Sequence, residues 1–216
     1  TLGSKKWSGE IKKTKKAAAE VASDILKIYS EKPNKRSFFY TKENDLDSVL
    51  LRSFSFIETP DQKQAIQDVY DDMNGEKPMD RLNCGDVGFG KTEVAIRAIF
   101  KAFLSDRLSV LLCPTTILAD QHYTTCKERL SDLGVSISLL SRFKTPGEQK
   151  KVLSKLSNKK VDVLIGTHRV LSEDVFLPNL GLLIIDEEHR FGVQHKEKIR
   201  SLKLNVDLLT LTATPI

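Results

Sequence analysis

One eight-residue run constrains this chain more than any other: Gly85-Asp-Val-Gly-Phe-Gly-Lys91-Thr92. It has the spacing G-x-x-x-x-G-K-[ST], follows a short apolar run at 82–84 and opens a helix-periodic segment at Lys91. Gly85, Gly88 and Gly90 permit backbone shapes that a β-carbon obstructs. The N–H groups of the loop, which includes Asp86, Val87 and Phe89, can therefore converge on phosphate oxygens at a helix N-terminus. Lys91 is expected to neutralise the outer phosphates and Thr92 to hold Mg²⁺ through its hydroxyl. The competing reading is a glycine-rich turn with a surface lysine; the strand before it and the helix behind it argue for a nucleotide site.

The surrounding pattern says what the loop is built on. Short apolar runs at 82–84, 109–113, 135–140, 161–165, 182–185 and 208–211 read as strands. Helix-periodic segments at 60–74, 91–103, 117–133, 147–156 and about 194–202 lie between them. Nearly continuous apolar strands separated by helices imply an α/β fold with a mostly parallel sheet covered by helices on both faces. Ligands in such folds bind at the carboxyl ends of the strands, where the loop falls.

Charge separates a second region. The net charge of +5 is concentrated in residues 1–44, which hold 11 Lys or Arg against 5 Asp or Glu, while 45–216 hold 23 against 24. An amphipathic basic helix is expected over 8–30, followed by a connector with an aromatic patch at Phe38, Phe39 and Tyr40 and a domain boundary near Asn44. Global charge therefore gives 45–216 no general attraction for nucleic acid, so a DNA interface there must rest on particular residues. With 40% apolar and 29% charged residues and no apolar run near the roughly 20 of a spanning helix, a membrane protein is not expected and a cytoplasmic address is. Cys84, Cys113 and Cys126 are too widely spaced for a C-x-x-C metal site and read as reduced thiols.

A second acidic motif narrows the chemistry. Leu182-Leu-Ile-Ile-Asp186-Glu187-Glu188-His189 runs a buried strand into a charged cluster. Asp186 at the strand tip is placed to hold Mg²⁺ and its water shell, and Glu187 to orient and deprotonate an attacking water. A solvated acidic turn is the alternative.

Asp-Glu-Glu-His resembles the DExH signature of superfamily-two helicases and translocases, and further motifs follow in that family's order. Pro114-Thr115-Thr116-Ile-Leu-Ala-Asp-Gln121 is similar to motif Ia, Ser141-Arg142-Phe143 to Ib, Gly166-Thr167-His168 to Ic, and Thr212-Ala213-Thr214-Pro215 to III. Within the superfamily, 54–216 resemble the family of bacterial transcription-repair coupling factors, with the fork-remodelling helicase RecG as sibling. RecG typically has Ser where Phe89 stands and Gln where Glu188 stands.

This resemblance implies a RecA-like P-loop lobe, the first of two in an ATP-dependent double-stranded DNA translocase that displaces stalled RNA polymerase and recruits excision-repair proteins. It makes Gln62 an adenine reader beside Phe56 or Phe54, although Thr59-Pro60-Asp61-Gln62 is also a sufficient helix cap. Thr115, Thr116, Arg142, Thr167 and His168 become a row of phosphate-backbone contacts, and His189 a link from the nucleotide site to Thr212 and Thr214. Thr116 as a helix cap, and Thr145 with Glu148 as a capping box, need no ligand. His122 and His195 read as surface residues without a role.

The second lobe and its arginine finger are expected beyond Ile216, so little turnover is expected of this lobe alone. A RecG-like helicase, or a binding module whose basic helix docks on a partner, are the alternatives. A metabolic kinase or GTPase has no place for the DExH tetrad or Thr-Ala-Thr-Pro.

Overall fold

Each apolar run becomes a strand of a single sheet: β1 (Asp80–Cys84), β2 (Leu108–Leu112), β3 (Ile137–Leu140), β4 (Val163–Gly166), β5 (Leu180–Asp186) and β6 (Asp207–Thr212). The computed structural model describes residues 36–41, 45–54, 56–86, 88–202 and 206–213, all within a compact unit Lys35–Ile216. The basic helix expected over 8–30, Val87 and Thr214 lie outside the described residues. The strands run in the order β1-β6-β5-β2-β4-β3, and every neighbouring pair is parallel.

Among the described residues six α-helices accompany them: α1 (Asp45–Arg52), α2 (Pro60–Asn74), α3 (Lys91–Phe103), α4 (Thr116–Leu130), α5 (Pro146–Ser157) and α6 (Val193–Leu202). Successive strand side chains point to opposite faces, which sorts the core into two layers. On one face Leu111, Val163, Ile165, Ile184 and Leu211 pack with Val69 of α2, Ile99 and Phe100 of α3 and Cys126 of α4. On the other, Val110, Leu112, Leu164, Leu183 and Ile185 pack with Leu156 of α5 and Ile199 of α6. Each fully buried side chain of this kind stabilises the lobe by about 1.5–3 kcal/mol. Helices thus cover both faces, as the sequence pattern implies. No described helix is long and apolar enough to cross a membrane.

Local chemistry sets the helix starts. Thr59 accepts from the Gln62 N–H while the Gln62 side chain accepts from the Thr59 N–H, and Pro60 occupies the first turn, so α2 begins with a complete capping box. Thr145 and Glu148 form the same box at α5. The cap of α4 is Thr115, which accepts from the Leu118 N–H; Thr116, expected as a cap, is the first helical residue. The helix expected over 117–133 ends at Leu130, and a 3-10 turn, Ser131–Leu133, closes on Gly134 at φ 85°. The short α1 has no sequence counterpart, since two turns carry too little periodicity to register.

At the amino-terminal end of the sheet, part of the expected connector is tied to the lobe. Arg36 donates to both carboxylate oxygens of Asp207, at 2.7 and 2.9 Å, and to the carbonyls of Asp72 and Lys77. The Tyr40 hydroxyl donates to Asp207 at 2.6 Å, and the Met79 N–H at 2.5 Å. The Arg36 and Asp207 side chains are each 1% exposed, so this pair is sealed from water.

Candidate nucleotide site and the strand ends around it

Strand order brings the motifs together. β6 lies between β1 and β5, so the loop after β1, the acids ending β5 and the residues ending β6 occupy adjacent strand ends. Two backbone bonds join them: Gly85 N–H to the Thr212 carbonyl at 3.1 Å, and Glu187 N–H to the Leu211 carbonyl at 2.9 Å.

In the loop, Gly88 and Gly90 have φ of 87° and 73°, the left-handed region that glycine adopts without strain. A β-carbon on Gly90 would also collide with Gln62 Nε2. Gly90 is the N-cap of α3 and offers no side chain to its first-turn N–H groups, which therefore face outward as anion donors with the helix dipole behind them. Lys91 Nζ donates to the carbonyls of Gly85 and Asp86 at 2.5 and 2.9 Å. Gln62 Nε2 donates to the Phe89 carbonyl at 2.8 Å while Oε1 serves the α2 cap. The one amide thus fixes both a helix start and the phosphate loop. Phe56, expected near the base, is 76% exposed and meets Phe54 edge to face at a 5.7 Å centroid separation.

β5 delivers Asp186 and Glu187 to the same end. Asp186 Oδ2 lies 3.0 Å from His122 Nε2 on α4, with both side chains nearly buried. Glu187 sits at φ 52°, a conformation costing a non-glycine residue roughly 1–2 kcal/mol, which turns its carboxylate towards β6. There it accepts from the Thr212 hydroxyl at 3.2 Å and the Ala213 N–H at 3.1 Å. His189 Nδ1 lies 3.2 Å from the same carboxylate. His189 and Thr212, expected to be linked, thus both contact the Glu187 carboxylate. A cleft of about 680 Å³ is lined by Gly88, Gly90, Lys91, Thr92, His122, Asp186, Glu187 and Arg190, among others.

The remaining expected residues sit at the carboxyl ends of β2, β3 and β4, the other half of the sheet. Thr115 and Arg142 are exposed and Thr116 and His168 half-buried. Thr167 is only 1% exposed, and its hydroxyl is buried without a protein partner, as is His168 Nε2. Burial, then the charge of Arg142, then His195 hold the His168 imidazole below its ordinary value. His195 is half-buried, and its ring stacks at 5.3 Å from that of His168.

Sequence reasoning missed His122 and an ion network around Glu93. His122 carries no local signal beyond following Gln121 in motif Ia; its contact exists because β2 and β5 are neighbours. Glu93, Arg97 and Arg129 occupy ordinary helical positions in sequence.

Comparison with known proteins places the chain. Residues 59–216 match the DEAD/DEAH box helicase family. The chain is 50% identical over 215 residues to the transcription-repair-coupling factor of Bacillus subtilis (strain 168), covering all of this chain and 18% of that protein. It is 49% identical to the transcription-repair-coupling factor of Haemophilus influenzae, covering 19% of it. The chain therefore spans about a fifth of the length of these relatives. Among solved structures, "Structure of RecG bound to three-way DNA junction" is similar with a TM-score of 0.75 and 41% identity, over 88% of this chain and 25% of that one. "Crystal Structure of DUF1998 helicase MrfA", at a TM-score of 0.60 and 17% identity over 81% of this chain and 30% of that one, shares the fold.

Proposed function

The chain belongs to the DEAD/DEAH box helicase family, and on that premise we propose that it is the ATP-hydrolysing lobe of a double-stranded DNA translocase of the transcription-repair-coupling type. The observation that carries this reading is one cleft in which Lys91, Thr92, Asp186 and Glu187 meet at three adjacent strand ends. Nucleotide binding belongs to the family; ATP, Mg²⁺ and the residue roles are the proposal.

Lys91 now holds the Gly85 and Asp86 carbonyls, and a triphosphate in the cleft replaces those partners with phosphate oxygens. Among the described residues no three His, Cys, Asp or Glu side chains cluster to cage a metal. The Thr92 hydroxyl and Asp186 carboxylate, two hard oxygen donors on one cleft, would suit Mg²⁺. Held there, the ion would supply positive charge to offset that of the phosphates. Glu187 is the general base, and its bonds to Thr212 and Ala213 tie its orientation to the loop after β6. Movement of that loop therefore turns the base towards or away from the attacking water.

Thr115, Thr116, Arg142 and His168, at the ends of β2, β3 and β4, are the DNA-backbone surface in this reading, with Thr167 supporting them from beneath. Contacts of this kind position a strand without reading its sequence. Stalled RNA polymerase and excision-repair proteins are the partners of the whole protein, and residues 1–44 its linker from an upstream domain. The higher identity to coupling factors than to RecG favours this over fork remodelling.

The test is steady-state ATPase of this chain beside a protein of the relatives' full length, with and without duplex DNA, and Lys91→Ala as control. Activity confined to the longer protein, raised by DNA and abolished by the substitution, is the expected result. Equal, DNA-independent activity in both sinks the translocase reading.

A further inference from the structure

Outside every motif used above, two buried charges, Glu93 and Arg97, and two partly buried ones, Glu58 and Arg129, join the segment carrying Phe54 and Phe56 to the helix that starts at the phosphate loop. Glu93, the residue after Thr92, is 4% exposed in the third position of α3. Its Oε1 accepts from Arg97 Nε at 2.7 Å and from Arg129 Nη2 at 2.9 Å, and Oε2 from the same Arg129 nitrogen at 3.1 Å. Each arginine then reaches the aromatic segment. Arg97 Nη2 donates to Glu58 Oε1 at 2.7 Å, and Arg129 Nη1 donates to Ser53 Oγ at 2.5 Å. Arg129 also lies over the Phe54 ring, its guanidinium carbon 5.3 Å from the centroid.

The network is neutral, two acids against two bases, and its geometry is directional. It grips the segment on both sides of Phe54 and Phe56, at Ser53 and at Glu58. Glu58 adjoins Thr59, the cap of α2, and that capping box holds Gln62 against the phosphate loop. Four side chains are thereby ordered for no contact with the cleft, since none of them lines it. A neutral apolar cluster would stabilise the fold as well or better, because burying ions carries a desolvation cost. What the ionic form adds is fixed distance and direction between two pieces of chain, through planar guanidinium forks.

We infer that Glu58, Glu93, Arg97 and Arg129 are positioning residues that hold the aromatic segment at a set distance from the phosphate loop, and so determine the affinity for the nucleobase without touching it. This rests on the nucleotide reading above. Phe56, largely exposed and in edge contact with Phe54, supplies the stacking face. The network supplies its place relative to the triphosphate.

The experiment is calorimetric titration of the full chain with MgATP and, separately, with magnesium tripolyphosphate, which has the phosphates and no base. The unaltered chain binds MgATP more tightly. In Glu58→Gln and Arg129→Gln, ATP affinity falls by about tenfold while tripolyphosphate affinity stays within about twofold, because the aromatic segment loses its place while the phosphate loop keeps its own. Equal loss of both ligands makes the network a plain support of the fold and overturns the inference, as does no loss of either. Glu58→Gln removes the outermost charge and decides the matter should Arg129→Gln fail to fold. If the unaltered chain binds neither ligand, the nucleotide reading itself fails. If it binds both equally, that reading survives and this inference does not.

Discussion

Two aspartates on neighbouring strands sit at opposite ends of the sheet and are treated in opposite ways. Asp207 opens β6 and accepts four hydrogen bonds, two from Arg36 and one each from Tyr40 and the Met79 N–H. Asp186 closes β5 beside an open cleft, with His122 on one carboxylate oxygen. A carboxylate whose lone pairs are filled by a sealed guanidinium is a permanent joint. One left facing a cleft with a histidine on one oxygen can exchange that partner for a ligand. The two ends of one sheet thus divide holding from working.

The saturated end bears on stability. Asp207→Asn leaves the Arg36 charge buried and uncompensated and should lower stability by about 3–5 kcal/mol in urea denaturation. Unchanged stability would remove the distinction. At the open end, Asp186→Asn should reduce ATP turnover of the full-length protein by about 10²–10³-fold, while the denaturation midpoint of this chain holds. A matching drop in stability would make Asp186 a structural acid like its counterpart.

Tyr40→Phe sharpens the contrast more gently. It deletes the hydroxyl that donates to Asp207, which also lies 3.0 Å from the Gly181 carbonyl, and should cost about 1–2 kcal/mol with nucleotide affinity untouched.

The smallest effect concerns His168, on the working end. Its folded value lies below the ordinary 6.5, so the neutral ring is favoured on folding. That contribution is present above pH 6.5 and is lost as pH falls through the lower folded value. Arg142→Gln removes one cause of the depression and should move the ring's NMR titration midpoint upward, narrowing the window. An unmoved midpoint would separate the two residues electrostatically.

The working end was the more legible of the two in sequence. Gly85 to Thr92 and Asp186 to His189 are contiguous motifs, because the chemistry of a phosphate loop and a strand-tip acid is confined to a few successive residues. All six strands were legible for a similar reason, since leucine, isoleucine and valine runs buried on both faces leave a local trace. The holding end left none. Arg36 and Asp207 are 171 positions apart, and each by itself reads as a surface charge. Arg129 and Ser53 are separated by 76, His122 and Asp186 by 64. Such pairs are made by strand order and helix docking, which periodicity does not encode. Thr167 differs again: its motif is local, but the burial of its hydroxyl, before the 3-10 turn His168–Leu171, leaves no trace in the sequence.

The place of β6 carries a consequence for how the lobe is made. It is the last strand among the described residues, yet it lies inside the sheet, paired with β1 on one side and β5 on the other. Among the described residues β1, and with it the phosphate loop, pairs with β6 alone and so waits until residues 207–212 have left the ribosome. Closing that pair spans well over a hundred residues, a slow, non-local step. The strands β2 to β5 can assemble first, as a four-stranded sheet whose β5 edge waits for β6. A nascent chain arrested before 207 would present that edge to other strands while remaining unable to build the cleft.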